Sequence, residues 1–171
     1  MAELVYLREP TTEDMPLLDD WGRSLEFRGE FNDFGLPYKP AAERYEKVFI
    51  GEQNGTLIIC ESGSGTPVGT IDWRPSMYGP PPESMAFQFG ISLAPEARGK
   101  GYGPVAIRLV ADYLFEHTKV NRVEGSCDAD NFPSQRAMLK AGYSYEGTLR
   151  KAQWRQGAYH DLMYFSRLRG D

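Results

Sequence analysis

The segment Arg98-Gly99-Lys100-Gly101-Tyr102-Gly103 constrains this chain more than any other. It joins an alternating apolar run to a long amphipathic stretch. Met85, Phe87, Phe89, Ile91 and Leu93 alternate with Ala86, Gln88, Gly90 and Ser92, which is the period of a strand. Pro95 ends that strand, because proline has no ladder N–H. Pro104 suits the first position of a helix, with Gly103 as its cap. A glycine-rich turn feeding a helix start gathers unpaired N–H groups at the positive end of the helix dipole. That arrangement binds a phosphate or pyrophosphate. Arg98 and Lys100 add side-chain charge, so the segment predicts a phosphorylated cofactor.

Three glycine-rich phosphate loops compete for this segment. A Walker loop needs a hydroxyl residue directly after its lysine, and Lys100 is followed by Gly101. A dinucleotide fingerprint sits early in its unit and spaces its glycines differently. The third pattern is R-G-x-G-x-G. It resembles the acyl-CoA pyrophosphate loop of the Gcn5-related N-acetyltransferases (GNAT), in which Arg98, Gly101 and Gly103 fill the fixed positions. The whole segment from Leu93 to Gly103 is similar to that family's strand–loop–helix. A solvated basic turn is the plain alternative, and the flanking strand and helix weigh against it.

The 171 residues suffice for one domain, expected to span 1–171. Hydrophobic residues at 41% and charged residues at 25% fit a globular chain, and no run is long enough to span a membrane. The start Met1-Ala2-Glu3-Leu4 lacks the apolar core of a signal peptide, so a cytoplasmic location is expected. A net charge of −5 argues against nucleic acid and anionic membrane as partners. Cys60 and Cys127 sit in strand-like runs and read as reduced core residues. Without ligand spacing, and with only two histidines, no metal site is expected.

Leu4 to Arg8 reads as a first strand. Thr11 or Thr12 caps a helix running to Trp21. Gly22 to Pro40 reads as an irregular segment rich in aromatics, and Ala41 to Phe49 as a second helix. Thr56–Glu61, Pro67–Trp73 and Met85–Leu93 read as strands, with the loop Tyr78-Gly79-Pro80-Pro81-Pro82 between the last two. A helix from Pro104 to Thr118 carries Arg108, Asp112 and Glu116 on one polar stripe. Arg122–Cys127 follows as a strand, then a short helix from Pro133 to Ala141 capped by Asp130 or Asn131 and ended by Gly142. Tyr143–Arg150 and Ala158–Ser166 close the chain as a strand pair joined through Trp154-Arg155-Gln156-Gly157.

This order resembles the GNAT fold along nearly the whole chain. The resemblance implies an α/β fold (α+β by some schemes). Its central sheet would be mixed, mostly antiparallel, of about seven strands, splayed at the acyl-CoA site and joined by four helices. Asn131-Phe132-Pro133-Ser134, Ala141-Gly142-Tyr143 and Glu146-Gly147 are similar to the ribosomal-protein N-terminal acetyltransferase branch. So is Tyr159-His160-Asp161 with Tyr164. The implied cofactor is acetyl-CoA, held by Ile91, Ser92, Leu93, Arg98, Gly99, Lys100, Gly101, Tyr102, Gly103, Asn131 and Ser134.

Acyl transfer to an amine needs a neutral amine, a polarised thioester carbonyl and a proton or hydrogen bond for the departing thiolate. A backbone N–H near Ser92 or Leu93 suits the carbonyl. Ser134 is the candidate catalytic donor to sulfur, although its hydroxyl can also simply bond the backbone. Polyamine-acetylating relatives carry a tyrosine acid where this chain has Met138, which cannot donate. No base is evident, since Gln88 and Gln153 cannot titrate, and Asp72 and Asp33 remain. His160 reads as a bonded structural histidine. The acceptor site is expected between an aromatic and acidic wall, with Glu30, Asp33 and Phe34, and an opposite wall at Trp154 and Tyr159, with Asp72 and Gln88 nearby. A cationic small-molecule amine is the expected acceptor. A protein N-terminus and a non-catalytic acyl-CoA sensor are the alternatives, and a homodimer is left open.

Overall fold

A computed structural model of the protein describes residues 3–44 and 53–171. Seven strands form one sheet in the order β1-β2-β3-β4-β5-β7-β6. β1 (Val5–Arg8), β2 (Gly55–Glu61), β3 (Pro67–Met77) and β4 (Met85–Leu93) are successive antiparallel neighbours. β5 (Arg122–Asp128) runs parallel to β4. β7 (Ala158–Leu168) lies antiparallel between β5 and β6 (Ser144–Arg155). The expected mixed, mostly antiparallel sheet is therefore present.

The parallel step needs a crossover, which α4 (Tyr102–His117) supplies. β4 and β5 pair only at Phe87↔Val123, Gln88↔Glu124 and Phe89↔Gly125. Past that point β4 stays with β3 through Leu93, while β5 stays with β7 through Asp128. The sheet splays there, as the family resemblance implied.

Five α-helical segments occur among the described residues, against the four expected: α1 (Met15–Arg23), α2 (Leu25–Arg28), α3 (Ala41–Arg44), α4 and α5 (Phe132–Lys140). The segment read as irregular contains α2, capped by Ser24, whose Oγ accepts from the Phe27 amide at 3.1 Å. The helix expected over Ala41–Phe49 is seen as α3, and 45–49 lies outside the described residues. α4 starts two residues earlier than Pro104 predicts, because Gly101 at φ +83° takes the cap position. Pro104 then falls in the first turn, where a missing N–H is harmless.

β3 runs on through Pro75, beyond the expected end at Trp73. β2 pairing stops at Gly55↔Trp73, so the Pro75 nitrogen faces no partner strand. β6 also outruns its expected end and reaches Arg155. The turn to β7 is only Gln156-Gly157, both at positive φ, +52° and +82°, as a tight hairpin turn requires.

One sheet face carries Leu57, Ile59, Ile71, Phe87 and Phe89 against α4 and Met138 of α5. The other carries Ile58 and Cys60 against Leu18 of α1 and Ala41 of α3. Both cysteines are buried and unlinked. At Gly125 a Cβ would lie 2.5 Å from the Phe89 ring and 2.9 Å from Met138 Sδ, so only glycine lets α5 seat on β5.

Candidate active site

Two helix starts and two diverging strands meet at the splay. The first turn of a helix leaves the amides of Gly101, Tyr102 and Gly103 without carbonyls four residues back. Gly99 (φ +76°) and Gly101 (φ +83°) supply the left-handed residues that fold the loop onto the helix end. Tyr102 pins this start, with a buried ring and a hydroxyl bonded to the Glu61 carboxylate of β2. That hydrogen bond holds Glu61 below the usual carboxylate range. A Cβ on Gly103 would meet Leu93 Cδ1 at 3.8 Å and Ala137 Cβ at 3.9 Å. The loop thus touches the end of β4 and the flank of α5 at once.

Arg98 behaves differently from the free charge read in the sequence. Its Nη2 donates to the carbonyls of Glu26 (2.7 Å) and Phe27 (2.9 Å), and its Nε to Leu93 (3.1 Å). The guanidinium ties α2 to the end of β4. Lys100 is exposed.

Ladder register decides which β4 amides face the gap. The Ala94 amide donates to Val68 at 2.9 Å, and the β3–β4 register is unbroken. Alternation along an antiparallel ladder then gives the Ser92 amide to β3 and turns the amides of Ile91 and Leu93 towards the gap. Of the two residues considered from sequence, Leu93 has the suitable amide.

Asn131 caps α5, its Oδ1 accepting from the Ser134 amide at 3.2 Å. Ser134 stands in the first turn of α5, where its hydroxyl draws the Cys127 thiol of β5 downward. Burial pushes that thiol up to about 11, against the pull of the serine. Met138 is buried in the core.

On the sheet face under α1 and α2, the pairs Thr56↔Asp72, Asp72↔Gly90 and Thr70↔Ser92 place a polar stripe across three strands. A cavity of about 190 Å³ lies over it, roofed by Leu18, Trp21 and Phe27. Arg28 and Asp72 are its charged lining residues among those described, with hydroxyls from Thr56, Thr70 and Ser92. Gln88 lies on the same face, buried, accepting from Arg74 (2.7 Å) and donating to Ser126 (3.2 Å).

The two walls expected around the acceptor touch each other. Arg155, at the tip of β6, donates to the Glu30 carbonyl at 2.8 Å and stacks over Phe31. It also pairs with the buried Asp128 of β5, which His160 Nδ1 approaches at 3.1 Å. His160 is bonded, as expected, with Nε2 at 3.2 Å from the Arg155 carbonyl. Glu30 and Phe34 are exposed, and Asp33 accepts from the Gly35 amide at 3.2 Å within its own turn. Trp154 and Tyr159 form an exposed edge-on pair, 4.8 Å between centroids. The geometry thus assembles Asp72 and Ser92 in the cavity, and leaves Glu30, Phe34, Trp154 and Tyr159 outside its lining. The sequence reading missed Arg28, Asp128 and Arg155. No motif marks them: Asp128 and Arg155 meet across 27 positions, and Arg28 enters the cavity only through the packing of α2 over the sheet.

A mixed sheet splayed beside a glycine-rich helix start defines an acyl-CoA-binding type of α/β fold. The acetyltransferase (GNAT) domain family model matches residues 5–144, and the chain belongs to that family. It is 35% identical over 82 residues to the Bacillus subtilis (strain 168) protein named Probable N-acetyltransferase YjcK, covering 48% of this chain and 45% of that one. The chain thus spans about half the length of such curated relatives. It is 27% identical over 113 residues to L-amino acid N-acetyltransferase AaaT of Escherichia coli (strain K12), covering 66% and 67% of the two chains. The fold matches spermidine N-acetyltransferase from Vibrio cholerae in complex with CoA and spermine, with a TM-score of 0.81 at 19% identity over 96% of this chain and 95% of that one.

Proposed function

We propose that this protein is an acetyl-CoA-dependent N-acetyltransferase acting on the primary amine of a small molecule. The observation that carries the reading is the juxtaposition at the splay. The amides of the α4 start, the gap-facing amide of Leu93 and the first turn of α5 with Ser134 come together where β4 and β5 part, and the small cavity lined by Ser92 lies on the same strand. The family membership, the CoA in the Vibrio cholerae neighbour's complex and the small-molecule acceptor in AaaT's name support it.

Acetyl-CoA supplies an acyl group activated as a thioester. In this reading the amides of Gly99 to Gly103 hold the pyrophosphate, with Lys100 adding charge. Ile91, Ser92 and Leu93 line the pantetheine side, and the Leu93 amide polarises the acyl carbonyl. A C–N bond forms as the C–S bond breaks. One proton leaves the amine nitrogen, and Asp72, in the cavity, accepts it directly or through water. The departing thiolate, stabilised by a hydrogen bond donated by Ser134, takes up one proton from solvent water. Asn131 positions Ser134 by capping its helix.

Calorimetry with acetyl-CoA and a thiol-release assay over an amine panel test the reading. Binding of acetyl-CoA and transfer to a small amine are expected. A folded protein that binds no acetyl-CoA would refute it, and transfer to peptide N-termini alone would move the acceptor to proteins.

A further inference from the structure

The cavity above the polar stripe holds one acid and one base among the described residues that line it. Asp72 comes from β3 and Arg28 from α2. Leu18, Trp21 and Phe27 roof it with apolar surface. Its volume of about 190 Å³ corresponds to roughly six waters. Arg28 is incompletely satisfied: its Nε is buried without a hydrogen-bond partner. Its Nη1 meets Asp33 only at 3.6 Å, in a pair exposed by 26% and 29%. Such a pair is weak, and a guanidinium fork is shaped for two parallel bonds to one carboxylate.

We propose that the acceptor is a small zwitterion, an α-amino acid or a compound of that chemistry. Arg28 takes its carboxylate, and the Asp72 and Ser92 side of the cavity takes its amine. The inference rests on the acetyltransferase reading above and narrows its substrate. Opposite charges among the described lining residues of one small cavity match a ligand with both signs. A second ammonium, as in a polyamine, would be driven against Arg28. The free carboxylate of an amino acid instead completes the buried Nε. The amine end then lies by Ser92, next to Leu93, whose amide faces the splay.

The test compares L-amino acids, their amides and spermidine as acceptors, with KM expressed per neutral amine so that amine basicity does not confound it. Amino acids should show KM at least about tenfold below their amides, as expected for loss of one charge-assisted contact. Arg28→Gln should bring that ratio close to one. Arg28→Lys should restore part of it, because the charge returns without the fork. Acetyl-CoA binding by each variant checks that it has folded. Three results would overturn the proposal: amides or spermidine serving as well as amino acids, an unchanged ratio in Arg28→Gln, or no amino acid accepted by a protein that binds acetyl-CoA. Absence of acetyl-CoA binding in the wild type would instead strike the acetyltransferase reading itself.

Discussion

Gly101 holds φ at +83°, and a Cβ there would sit 3.4 Å from Leu4 Cδ1. Backbone strain, more than crowding, therefore opposes a side chain at this position. Gly101→Val should weaken acetyl-CoA binding by about tenfold or more, an effect on the order of 1–2 kcal/mol, with calorimetry as the check. Ser134 also bears on the Cys127 thiol, so its removal has two readouts. Ser134→Ala should lower kcat roughly 10- to 100-fold with little change in acetyl-CoA affinity. It should also push the Cys127 thiol further up, since the serine now pulls it down. With the thiol near 11, Cys127 in the wild type should resist alkylation at pH 8. Met138→Leu, a near-isosteric change in the core, should cost under about 1.5 kcal/mol and spare kcat.

At the scale of elements, Arg98 is the joint between α2 and the end of β4. Three backbone carbonyls depend on it. Arg98→Ala should destabilise the fold by about 1–3 kcal/mol in urea melts. It should also raise the acceptor KM more than the acetyl-CoA Kd, because α2 roofs the acceptor cavity while the loop amides stay in place. The sequence read Arg98 as a fixed position and a charge of the cofactor loop, not as a tie to α2. Two of its three partners lie about 70 residues upstream, in a segment that local pattern read as irregular. α2 itself was legible in principle, since Ser24 is a good cap, but four residues are too few to show a helical period.

Across the whole molecule, ion pairs fasten one element to another, and among the described residues two of them pair an arginine with a buried carboxylate on a separate element. Asp14, ahead of α1, accepts from Arg8 of β1 at 2.7 and 2.8 Å and from the Thr11 amide at 2.7 Å. The Arg8 guanidinium holds its carboxyl down at about 2, from an ordinary 3.8. A depressed folded-state value means stability that is full above the unfolded pKa and fades as pH falls from about 4 to 2. Asp14→Asn should therefore cost about 2 kcal/mol at pH 7 and flatten that part of the acid-denaturation curve. Asp128 and Arg155 are both buried and join β5 to the tip of β6. Arg155→Ala strands Asp128 without its cation and should cost about 3–5 kcal/mol, read as a lowered Tm.

The sequence by itself determined the strand–loop–helix at 85–117, a cap of α5 at Asp130 or Asn131 and the strand order along the chain. Each of these is local. Alternation, a proline or glycine at a boundary and a capping side chain act within a few residues, and the order of elements follows from their succession. Only the tertiary structure decided which groups converge. The β3–β4 register, set by pairing across the sheet, gave the gap-facing amide to Leu93 and left Ser92 to β3. Packing of α1 and α2 over the stripe put Arg28 and Asp72 into the lining of one cavity. The hairpin turn at Gln156-Gly157 brings Arg155 onto the Glu30 carbonyl and Asp128, joining the two walls at that point. These contacts join residues separated by up to 125 positions, where short-range pattern carries no information about who meets whom.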